Sequence, residues 1–180
     1  MEIREKLNLI LTDENVDKSV RDNLLFVLKI IPEIGTMIGF EQHNQILNLD
    51  VFEHTLKAMQ NSPNDLEIRM ALLLHDIGKT HLNQDNTEKR SFIRHQELSE
   101  EMSKIILTRL NYDEKFINNV LYLVRTHNDP INVKKLDNSL DMVKKRLDVQ
   151  FADTIAYNPD NIEKKISSLN EIKMQISQIS

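Results

Sequence analysis

Three glycines and four prolines in 180 residues leave this chain few places to turn. All-β folds use such residues at frequent tight turns, so the shortage favours long helices separated by a few punctuated loops. Apolar spacing supports that reading. Helices are expected over Ile3–Leu11 and Val16–Ile31, the second capped at Thr12 or Asp13 and stopped by Pro32. Gly35–Leu47 reads as a loop, followed by a helix capped near Asp50 that carries Val51, His54, Thr55 and Ala58. Pro63 and Asn64-Asp65 start the next, whose Ile68 and Ala71-Leu72-Leu73-Leu74 are apolar almost all round and belong at the centre. It stops at His75-Asp76-Ile77-Gly78, with Gly78 expected in a left-handed C-terminal position. Residues 79–94 form a polar excursion, and helices follow over Glu97–Leu110, Asp113–His127, Asn138–Tyr157, closed by Pro159, and Asn161–Ile176. The fold class is all-α, a helical bundle in a single domain spanning 1–180, long enough to bury roughly 70% of its unfolded surface.

Composition removes whole classes of function. The absence of cysteine excludes thiol nucleophiles, iron–sulfur clusters, cysteine zinc sites and disulfides, and fits a reducing compartment. With 23 basic and 28 acidic residues the formal charge is −5, which weakens long-range attraction to nucleic acid or an anionic membrane. No run approaches the ~18 apolar residues of a membrane span, and the start lacks a secretory pattern, so a cytoplasmic protein is expected. An oligomer is compatible with all of this, the amphipathic last helix offering either a core face or a partner surface.

Six histidines are present, and His54, His75, His95 and His127 fall at or near predicted helix ends. A lone histidine on an apolar face is usually a hydrogen-bonded semi-core residue, and His54 alone would be read so. His75-Asp76 is different, because four apolar residues deliver an imidazole and a carboxylate together at the end of a buried helix. An unpaired charge there is costly unless it meets a metal or a counter-charge. Nitrogen from His54 and His75 with oxygen from Asp76 and one further carboxylate makes a mixed shell suited to manganese, iron, cobalt, nickel, zinc or magnesium. Asp153, between the small residues Ala152 and Ala156, is the expected fourth ligand, whereas Asp148 reads as an ordinary helix aspartate.

His54, Leu74-His75-Asp76-Ile77-Gly78-Lys79 and Asp153 resemble the H…HD…D signature of the HD-domain superfamily, all-helical metal-dependent phosphohydrolases. Asn48-Leu49-Asp50-Val51-Phe52-Glu53-His54-Thr55-Leu56 and Phe151-Ala152-Asp153-Thr154-Ile155-Ala156-Tyr157-Asn158-Pro159 are similar to the HD domain of bacterial CCA-adding enzymes, the tRNA nucleotidyltransferases. The resemblance covers about residues 38–160. It implies that His54, His75, Asp76 and Asp153 hold a divalent metal, and that His95 and His127 stand where two-metal members place extra histidines. His43 and His81 read as surface residues. The chain departs from these relatives at Leu47, where a histidine is common, and it lacks the glycine-rich nucleotidyltransferase signature with its paired aspartates, so it cannot itself add CCA.

The expected chemistry is hydrolytic. Asp76 is assigned to hold the metal and to orient or deprotonate a water, and Lys79 to stand at the rim as a cation for substrate phosphate, with Arg94 and Arg125 as further candidates. The substrate class is a small phosphorylated molecule, a nucleotide-type phosphomonoester or cyclic phosphodiester, with a tRNA end as the route to nucleic acid. The competing reading is a non-catalytic metal- or nucleotide-binding module that acts through a tRNA-processing or signalling partner. Whether 79–94 form a lid is open at this stage.

Overall fold

The structure, a computed structural model, describes residues 2–42, 49–82, 92, 94–157 and 162–179. The expectations for His43, Leu47, Pro159 and most of the 79–94 excursion lie outside the described residues. Among those described the fold is helical: α1 (Ile3–Leu11), α2 (Val16–Asp22), α3 (Leu24–Ile30), α4 (Val51–Gln60), α5 (Leu66–Leu74), α6 (His95–Arg109), α7 (Glu114–Thr126), α8 (Leu140–Ala156) and α9 (Glu163–Ser177). Short 3-10 helices occupy Pro32–Met37 and Ile77–His81. None of these helices is long and apolar enough to cross a membrane.

Local chemistry sets most boundaries. Asp50, Asp65, Asp113 and Ser139 cap α4, α5, α7 and α8, each side chain accepting a backbone N–H of the first turn. The second helix departs from expectation twice. Its cap is Asn15, which accepts from Lys18 N, and it breaks at Asn23, whose side-chain amide donates to Ser19 O at 2.9 Å. An asparagine that bonds the preceding turn competes with continuation of the helix, which restarts at Leu24.

Helix α5 is the central element. Ile68 to Leu74 are all buried, and the helix packs against α1, α4, α7 and α8. Even Arg69 is enclosed, its guanidinium donating to Leu11 O at 2.7 Å and so tying α1 to α5. Helix α8 braces the far end of α7 through buried Gln150, which donates to Thr126 O at 3.1 Å and Asp129 O at 2.8 Å. The antiparallel bridge Glu41↔Asp50 pins the strand-like residues before α4 to its N-terminus. The bundle thus delivers the C-terminal ends of α5 and α7, the start of α6, the first turn of α4 and the last turn of α8 to one place.

Candidate metal centre

His75 and His127 are the first residues past α5 and α7, both still in right-handed helical backbone. Each imidazole turns back and its Nδ1 donates to the carbonyl three residues earlier, Leu72 O at 2.6 Å and Val124 O at 2.7 Å. His95 opens α6 and makes the same bond to Phe92 O at 2.8 Å. The carbonyls of Leu72 and Val124 lie in the last turns of their helices and lack intrahelical partners, so those two bonds arise naturally there. All three bonds also hold a proton on Nδ1, so that Nε2 is the atom turned to the centre; it carries the lone pair a metal ligand needs on His95 and His127, and on His75 once its second proton is lost.

The three Nε2 atoms converge on Asp76. His75 stands 3.2 Å from Oδ2, His95 3.4 Å and His127 3.8 Å from Oδ1. The Nε2 atoms of His95 and His127 are 3.2 Å apart. Two lone pairs facing each other at that distance repel, unless a cation lies against both. Nitrogen ligands with bonds of ~2.1 Å to one ion stand about 3 Å apart in adjacent positions, so the pair fits a shared metal.

His54 and Asp153 close the other side. His54 Nε2 lies 2.9 Å from Asp153 Oδ1 and 4.0 Å from Asp76 Oδ2, and the same Asp153 oxygen is 3.5 Å from His75 Nε2. Ala152 and Ala156 are buried on α8, which packs closely on α4 as their size permits. Ligand atoms of His54, His75 and Asp76 all lie within 4.8 Å of one another, as do those of Asp76, His95 and His127, so Asp76 is common to two candidate ion positions. His75 Nε2, Asp76 Oδ1 and Asp153 Oδ2 are buried without hydrogen-bond partners. Such atoms are rare in native interiors, and divalent cations held in this cluster would give buried donors and carboxylate oxygens of this kind their partners.

The electrostatics differ across the cluster. Burial opposes charge on His75, but Asp76 and Asp153 outweigh it and raise its pKa to about 10. Burial also opposes charge on Asp76, yet His75 and Lys79 hold that carboxyl well below the usual range; His54 and His75 do the same for Asp153. Burial, assisted by the His75 charge, lowers His127 to about 3. His95 is lowered too, again chiefly by burial. The α6–α7 side therefore presents neutral imidazoles, while the His75 side carries a proton that a metal must displace.

Other expected site residues are redistributed. Lys79 is buried rather than at a rim, its ammonium bonding Asp76 Oδ2 at 2.6 Å and Gln42 Oε1 at 2.9 Å. Arg94 and Arg125 are not brought to the cluster. Both pair with Glu97 on α6, which neutralises them where the sequence suggested phosphate ligands. His81 is exposed, as expected. Gly78 is not left-handed, since Gly39 is the described glycine with positive φ. Its role is space: a Cβ would meet Ser99 N at 2.7 Å and His95 O at 2.8 Å, so glycine lets the Ile77–His81 turn rest on α6 and sets His95 beside Asp76.

Three contributors escaped sequence reasoning. Gln42 sits in a polar run that reads as an exposed loop, yet it is buried against Lys79. The Tyr157 ring lies 5.0 Å from that of His54. Lys165, on α9, places its half-exposed ammonium 3.8 Å from Asp153 Oδ2. No local pattern marks any of them.

Among proteins of known activity, the chain is 31% identical over 134 residues to the A-adding tRNA nucleotidyltransferase of Deinococcus radiodurans, covering 69% of this chain and 31% of that protein. It is 30% identical over 106 residues to the CC-adding tRNA nucleotidyltransferase of Thermus thermophilus, covering 55% of this chain and 24% of that one. The aligned part thus spans less than a third of either relative. The HD domain family model matches residues 24–171, a span that contains every histidine and carboxylate of the centre, and the chain belongs to the HD domain family.

Proposed function

We propose that the protein is a metal-dependent phosphohydrolase acting on a nucleotide-type phosphomonoester or cyclic phosphodiester, with the end of a tRNA as one candidate source of that group. HD domains are in general metal-dependent hydrolases, which supports the broader part of this reading. The observation that carries it is the convergence of three Nε2 atoms on one buried carboxylate, with His95 and His127 only 3.2 Å apart. The residues that would hold one or two ions are His54, His75, Asp76 and Asp153 on one side, and Asp76, His95 and His127 on the other. When bound, such an ion supplies a hydrolytic nucleophile near neutral pH and polarises a phosphoryl oxygen.

The chain's own groups supply the rest. Backbone carbonyls hold the three imidazole rings in their ligand orientation, so little order is lost when the site fills. Asp76 orients rather than accepts a proton, because its pKa is held well below that of an efficient base at neutral pH. The buried Lys79 ammonium faces the centre, where it stabilises negative charge more strongly than an exposed cation could. Lys165 is the second cation within reach, on the Asp153 side.

The test is hydrolysis of 2′,3′-cyclic AMP and a chromogenic phosphodiester by the full chain with manganese, cobalt, nickel or magnesium, beside Asp76→Ala. Turnover that needs metal and falls by ~10³-fold or more in the variant, together with its metal content, supports the reading. Full activity in the variant overturns the centre. Metal retention without turnover on any phosphoester would transfer the assignment to a binding module.

A further inference from the structure

We infer that Gln42 is the neutral donor that binds a non-bridging oxygen of the substrate's phosphoryl group, its carboxamide shared between that oxygen and the Lys79 ammonium. The inference rests on the phosphohydrolase reading for its ligand and on separate geometry for its residue. The bridge between Glu41 and Asp50, with Val51 N donating to Phe40 O at 3.2 Å, carries Gln42 inward beside α4. There it is 2% exposed. Lys79 Nζ stands 2.9 Å from Oε1, and an ammonium has only donors, so the carbonyl oxygen must face the lysine and the amide nitrogen must face away.

That nitrogen is the informative atom. Gln42 Nε2 is buried and has no hydrogen-bond partner. A buried donor left unmade carries its full desolvation cost, and such groups are rare without an unplaced ligand or water. A metal ion cannot be the missing partner, because a carboxamide nitrogen has no lone pair to offer. The partner must be an acceptor, and the ammonium bonded to the same side chain makes an anionic acceptor the favoured one. The Phe92 ring, 5.3 Å from Nζ, adds an apolar wall that strengthens any charge-assisted bond formed there. Lys79 is also bonded to Asp76, so a single side chain separates Gln42 from the candidate ligands. A phosphoryl group has enough acceptor oxygens to meet the ion with one and this amide with another.

The experiment uses the full chain loaded with manganese and inorganic phosphate as the probe, with binding read by calorimetric titration beside kcat and KM on 2′,3′-cyclic AMP. Gln42→Ala removes both functions of the side chain. Gln42→Glu keeps an oxygen for Lys79 and nearly the same shape, but replaces the donor with an acceptor. Both are expected to raise the phosphate Kd by ~10-fold or more, with Gln42→Glu the weaker binder, while metal content and helical content match the parent. If Gln42 serves only to position Lys79, Gln42→Glu binds phosphate as the parent does, which overturns the inference. Unchanged binding in both variants, or a parent that binds no phosphate, overturns it as well. A parent that binds phosphate but turns nothing over would remove the hydrolase reading and leave the Gln42 assignment to stand or fall on the Kd values.

Discussion

Around α5, one continuous apolar cluster runs from Leu7 and Leu11 through Leu72 and Leu73 to Val149 and Ala156. Beneath α9 lies a separate and much smaller one, Val143, Leu147, Leu169 and Ile176, flanked by half-buried Ile131, Phe151 and Ile172. The large cluster grips every element that carries a candidate ligand, while the small one holds only a helix that touches the site through Lys165. Ligand geometry needs tolerances well below an ångström, which dense packing provides. A helix held through two buried side chains of its own, Leu169 and Ile176, opens more easily, so α9 is the part of the site able to loosen while the centre stays formed.

The sharpest way to break this contrast is to cut a cavity in each cluster. Leu72→Ala should cost ~3–5 kcal/mol in denaturant unfolding and lower metal retention with it, since Leu72 also carries the carbonyl that orients His75. Leu169→Ala should cost ~2–3 kcal/mol at most, read as faster amide exchange confined to α9, with metal affinity nearly unchanged. Equal effects of the two on metal affinity would mean that α9 belongs to the centre after all.

Gly78→Ala is expected to destabilise by ~1–3 kcal/mol, because its Cβ would meet backbone atoms of α6 that cannot swing aside. It should weaken the His95–His127 side more than the His54–Asp153 side, which a titration with cobalt followed by its ligand-field spectrum would resolve. A variant with unchanged stability and spectrum would show that the turn and α6 are not in close contact.

A pH series sharpens the contrast without any substitution. Without an ion, His75 keeps its proton up to about pH 10, and a ligand must lose it. Manganese affinity should therefore rise by up to tenfold per unit between about pH 6.5 and 9, measured against a competing chelator. The stability of the ion-free protein should run the other way. A raised histidine pKa stabilises fully below about 6.5 and loses that contribution as pH climbs through about 10. The depressed Asp76 and Asp153 give stability above about pH 4 that is lost on acidification, and His127, lowered to about 3, likewise destabilises the fold as pH falls below about 6.5. A metal affinity flat in pH would show that His75 is neutral in the ion-free protein.

Much of the fold was readable in advance for local reasons. Caps at Asp50 and Asp65, the stop at Pro32 and the buried run of α5 each depend on neighbours within one or two turns. The break at Asn23 was missed because apolar spacing continues smoothly across it. Asp76, His75, His54 and Asp153 stood out by residue type and by resemblance, and the structure gathers them. The partners of Arg94 and Arg125 were not legible, since a cation next to a histidine in sequence says nothing about which acid its long side chain will find. Glu97, within the first turn of α6, captures both.

By itself, then, the sequence determined the helical class, the punctuation and the donor chemistry available for a metal, because periodicity and side-chain type act at short range. Tertiary structure alone decided which donors meet. His54 and Asp153 are 99 residues apart, Gln42 and Lys79 are 37 apart, and His95 and His127 are 32 apart. Those pairings exist because the apolar faces of five helices can be buried together in only a few ways, and the one adopted turns their polar ends toward Asp76.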